Sequence, residues 1–74
     1  MFENEETAKY VLQFFLSLNG QMIESIAIVQ TRSSPEECKA FKRGVGHVIY
    51  EVFDQIIEPI CARHPALKPP EMES

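Results

Sequence analysis

The sequence predicts an all-α protein, an antiparallel two-helix hairpin that dimerises into a four-helix bundle. Three observations lead there. Apolar residues recur at helical spacing over two long stretches, the segment SSPEE at Ser33 to Glu37 marks a sharp helix start between them, and the second stretch carries an apolar face too broad for a single neighbour. The hairpin domain is placed at 1–64, with a proline-containing C-terminal tail at 65–74.

The first helix is expected from Thr7 to about Thr31, a stretch without proline. Ala8, Val11, Leu12, Phe15, Leu18, Met22, Ile23, Ile26 and Val29 share one broad face, and Glu6, Gln13, Ser17, Gln21 and Glu24 lie opposite. Leu18-Asn19-Gly20 could end a shorter helix, because Asn and Gly are C-cap residues. The apolar phase runs through it without a slip, which favours one continuous helix. Tyr10, Phe14 and Ile28 fall outside the stripe, so they either widen the core or the dimer seam or bind a partner.

The second helix has the better-marked start. Ser34 is the N-cap, Pro35 occupies the first helical position, and Glu37 stands where a capping box requires an acid, so both glutamates lie near the positive end of the helix dipole. The short linker around Arg32 and Ser33 folds the helices back on one another. Phe41, Val45, Val48, Ile49, Val52, Phe53, Ile56, Ile57 and Ile60 form the apolar face. Pro59 lacks a backbone donor and is expected to kink or end the helix, although Ile60 and Cys61 keep the phase for another turn. Beyond Arg63-His64-Pro65 the chain is read as an extended or disordered tail.

Size and charge narrow the function. A chain of 74 residues is one domain at most, and a domain this small buries only roughly 60% of its unfolded surface, so it usually needs a disulfide, a metal, a cofactor or a second copy of itself. Eleven acidic against seven basic residues give a net charge of -4 with no basic stripe, which excludes nucleic acid as the expected partner. The acidic start MFENEE is unlike a signal peptide, and Ser17, Asn19 and Glu24 interrupt the apolar runs, so no membrane partner and a cytoplasmic location are expected.

A second copy is the favoured staple. The apolar face of the second helix covers about half the cylinder, against the roughly 100° that one neighbour needs. Lys39, Lys42 and Arg43 lie in its N-terminal half and Glu51, Asp54 and Glu58 toward its C-terminal end, each against the helix dipole. An antiparallel symmetry mate would set basic half against acidic half, with the centre at His47. Gly44 and Gly46 each cost about 1 kcal/mol relative to alanine inside a helix. Gly46, at the edge of the apolar face, is read as the place where two copies cross. The expected dimer interface is Phe41, Val45, Gly46, Ile49, Phe53, Ile56 and Ile57, and the expected surface for another protein is Tyr10, Phe14, Glu51, Asp54 and Glu58.

Motifs for chemistry are thin. Gly44-Val45-Gly46 lacks the third glycine of a nucleotide loop, since Ile49 stands in its place. Cys61 and His64 are spaced one turn apart, but a structural zinc site wants four ligands and a catalytic one at least three. Cys38 and Cys61 would lie roughly 34 Å apart along a continuous helix, beyond the reach of a disulfide within one chain. With no activated nucleophile either, the reading is a non-enzymatic interaction module without a cofactor, an adaptor, inhibitor or regulatory subunit. The alternatives are a metal or redox module using Cys61 and His64 at a subunit junction, and an obligate small subunit of a hetero-complex.

Overall fold

Asn4 opens the first helix. In the computed structural model, which describes residues 1–69, its side-chain oxygen accepts the Thr7 backbone N–H at 3.0 Å, and Glu5 and Glu6 fill the first turn. Helix α1 then runs unbroken over Glu5–Arg32. Leu18-Asn19-Gly20 stays helical because neither Asn19 nor Gly20 takes the left-handed conformation a C-cap needs. At 1.5 Å per residue its 28 residues span about 42 Å, which sets the long dimension of a 45 × 21 × 16 Å molecule.

The turn and the second start follow the sequence closely. Arg32 puts a cation in the last turn of α1 and Ser33 Oγ donates to the Val29 carbonyl at 2.7 Å, which satisfies one of the carbonyls a helix end leaves open. Helix α2 spans Pro35–Val52. Both bonds of the capping box are present: Glu37 N–H donates to Ser34 Oγ at 3.2 Å, and Ser34 N–H donates to Glu37 Oε1 at 2.9 Å. These bonds hold the Glu37 carboxyl below its ordinary pKa of 4.5, because they favour the charged form.

Pro59 neither ends the helix nor breaks it. A π-helical turn at Phe53–Ile57 precedes it, and α3 carries on over Glu58–Arg63. Glu58 N–H donates to the Phe53 carbonyl, five residues back, so the turn is widened where the proline ring would press on the preceding carbonyls. The extra residue also corrects the phase. At about 100° per residue, Ile57 and Cys61 would sit roughly 120° and 160° around the helix from Val45. Taking out one residue, about 100°, returns both to the face that meets α1.

The core lies at the open end of the hairpin, far from the turn. Ala8 and Leu12 of α1 pack with Ile57, Ile60 and Cys61, and Phe2, Val11, Phe15, Leu16, Val52, Phe53 and Ile56 close around them. Toward the turn the packing thins: Val45 is buried on α2, while Ile23, placed on the stripe by its spacing, is 58% exposed at its edge. Tyr10, Phe14 and Ile28 are exposed, so they do not widen the core of the protomer. By length and composition α1 is apolar enough to cross a bilayer, with a mean hydropathy of 1.2 over its best window.

The tail begins with structure rather than an extended strand. Pro65–Leu67 forms a 3-10 turn, and Leu67 packs against the core, the one large apolar side chain after Cys61 among the described residues. The expectation of a disordered end from residue 70 onward lies outside the described residues.

Candidate interaction surface

Helix α2 touches α1 with one edge only, and a groove runs along each side of it. The first, of about 440 Å³, is lined by Gly46, Ile49, Tyr50, Phe53, Asp54 and Glu58. The second, also about 440 Å³, is lined by Phe15, Val48, Val52 and Ile56 alongside His47, Glu51 and Gln55. Apolar surface is therefore open on both flanks: Val48 is 50% exposed and Tyr50 67%.

The residues expected at a dimer interface divide into two sets. Val45 and Ile57 are buried inside the protomer against α1 and the core. Phe41 and Gly46 are exposed, and Ile49, Phe53 and Ile56 are half-buried. Gly46, Ile49 and Phe53 share the first groove with Asp54 and Glu58, two of the acids assigned to the other surface. Glu51 lines the opposite groove, and Tyr10 and Phe14 stand on α1, where Phe14 packs edge-to-face on Phe15 at 5.2 Å.

A methyl group placed on Gly46 or on Gly44 would meet nothing within 4 Å. The protomer itself thus gives no steric reason for either glycine. Lys39, Lys42, Arg43, Glu51, Asp54 and Glu58 are all exposed, and among the described residues none forms an ion pair. The charge segregation of α2 has no counterpart inside the protomer.

Two residues escaped the sequence reading. Tyr50, one turn beyond Gly46, is the most exposed large hydrophobic side chain of α2, and the pair's spacing was the available signal. Asn19 is 6% exposed, one turn after Phe15 and one before Met22, and neither its amide nitrogen nor its oxygen has a hydrogen-bond partner. Asparagine is a cap-forming residue by preference, but Asn19 stands in the middle of the apolar stripe.

Cys61 and His64, the pair of the metal or redox reading, have different surroundings. Burial pushes the Cys61 thiol above its ordinary value, with nearby Lys68 opposing and Glu58 adding to the shift. His64 Nε2 donates to the Phe2 carbonyl at 2.7 Å. Cys38 and Cys61 are both free thiols, and among the described residues no three His, Cys, Asp or Glu side chains gather in a way that could hold a metal ion. No family model, no curated protein and no solved structure matches the chain.

Proposed function

We propose that the protein is a small non-enzymatic module that self-associates into a homodimeric four-helix bundle and acts in the cytoplasm by binding another protein, as an adaptor, inhibitor or regulatory subunit. The observation that carries this reading is the uncovered apolar surface of α2. Val48, Tyr50 and Phe41 stay exposed after α1 has docked, in a domain too small to stabilise itself generously. Placing the protein in water rather than in a bilayer rests on α1 itself, whose apolar window holds the amide of Asn19 and the charge of Glu24.

The outer surface left for another protein is acidic and aromatic, with Tyr10 and Phe14 exposed on α1 and the charge of the chain at -4. A metal or redox role for Cys61 and His64 has less support, since burial favours the neutral thiol and, among the described residues, no third His, Cys, Asp or Glu gathers with the pair. Sedimentation equilibrium over a range of concentrations, at low and high salt, tests the reading. A dimer that loosens as salt rises is expected, and a folded monomer at every concentration would overturn the bundle.

A further inference from the structure

Lys39, Lys42, Gly46, Ile49, Tyr50 and Phe53 follow one another at helical spacing along a single stripe of α2, and the groove around Gly46 continues it to Asp54 and Glu58. The stripe is basic at one end, acidic at the other, and in its middle has a bare glycine beside an exposed tyrosine. We infer that two copies pair antiparallel through this stripe, with Tyr50 of each seated over Gly46 of the other. The inference rests on the homodimer proposed above and assigns its seam and register.

The register follows from the positions alone. With the two-fold axis at the level of Val48, each residue faces the one equally far beyond it, so Gly46 meets Tyr50 and Lys42 meets Asp54. Lys39 falls one residue out of step with Glu58, and the extra residue of the π turn takes up that offset. A parallel pairing would set lysine against lysine and acid against acid. The ring of Tyr50, 67% exposed, gains a surface only if something approaches, and the empty space over Gly46 is where a second backbone leaves room for it.

Direction and size also fit a second copy. Gly46 lies about 100° around the helix from Val45, the residue facing α1, and a helix in a four-helix bundle has its two nearest neighbours at roughly such an angle. A stable dimer buries roughly 800 Å² per copy, about one seventh of the 5573 Å² surface of this protomer. A stripe from Lys39 to Glu58, roughly 30 Å long, is enough for that. Exposed ion pairs add little affinity, so the charges fix the direction of pairing while Tyr50 and its apolar neighbours hold it.

The test compares dimer dissociation constants by sedimentation equilibrium for the full chain and four variants. Tyr50→Ala and Gly46→Leu should each weaken the dimer about tenfold or more, the range of a central aromatic anchor. Both positions are open in the protomer, so an unchanged helical circular dichroism spectrum is expected. Lys42→Glu and Asp54→Lys should each weaken self-association, and mixing the two should restore a heterodimer, because only the mixed antiparallel pair sets opposite charges together at both ends. A wild-type dimer whose variants all keep its dissociation constant, with no heterodimer preference on mixing, would overturn this seam and leave the homodimer standing. A wild-type monomer would overturn both.

Discussion

His64 Nε2 lies 2.7 Å from the carbonyl oxygen of Phe2, a hydrogen bond that joins the two ends of the described chain across 62 residues of sequence. Phe2 and Leu67 both pack against the core, so the bond lies at the packed end of the hairpin. His64→Ala should lower the unfolding free energy by about 1 kcal/mol, the usual net worth of such a bond. Urea denaturation measures it; an unchanged midpoint would mean that Phe2 is held by packing alone.

Asn19 makes a prediction of opposite sign. An amide buried without partners costs about 1 to 3 kcal/mol, and leucine has nearly its shape. Asn19→Leu should therefore raise the melting temperature, as thermal unfolding followed by circular dichroism would show. A loss of stability would mean that the amide has a bonding partner in the folded protein, such as a bound water.

The capping box ties stability to acid pH. Ser34→Ala should cost about 1 kcal/mol, typical for an N-cap. Because the folded pKa of Glu37 is depressed below 4.5, the unfolded chain takes up a proton first as pH falls. Its contribution is full above pH 4.5 and disappears as pH drops through the lowered folded value. Urea midpoints from pH 7 to pH 2 should fall less steeply at the acid end for Glu37→Gln than for the wild type, and parallel curves would count against the link.

The two thiols should react at different rates. Cys38 is half-buried near the turn, whereas Cys61 is 7% exposed and burial raises its pKa, which lowers its thiolate fraction. Labelling with an aromatic disulfide at neutral pH should show one fast and one slow thiol, the fast one absent in Cys38→Ser. Two equal rates would place Cys61 in contact with solvent.

Much of this architecture is legible in the residues. Ser34, Pro35 and Glu37 specify the second helix start through local hydrogen bonds, and such bonds need no knowledge of the rest of the chain. The unbroken first helix is equally local, since its apolar phase outlasts the cap signal of Asn19 and Gly20. What spacing does not reveal is which part of a broad apolar face a neighbour covers. Ile23 and Asn19 occupy similar places on the wheel, and only packing leaves one exposed and the other buried. Pro59 shows a different limit: sequence foretells a disturbance there, but absorbing it in a π turn serves the packing of Ile57 and Cys61 with Ala8 and Leu12, more than forty residues earlier in the chain. The surface stripe of α2 was half visible in its charges and its glycine, while Tyr50 became significant only through its exposure.

The placement of the core at the open end bears on how the molecule folds. A helical hairpin ordinarily zips from its turn, gaining burial with each step, because its first contacts are between near neighbours in sequence. Here the turn end offers little to bury, and the side chains that gain most, Ala8 and Leu12 against Ile57 and Ile60, are among the most widely separated in the chain. The loop must be closed before that reward is collected, and the entropy of closing it is spent early. Folding should therefore be closer to all-or-none, and slower, than two short helices joined by a tight turn would suggest, with the transition state waiting on the meeting of the two ends.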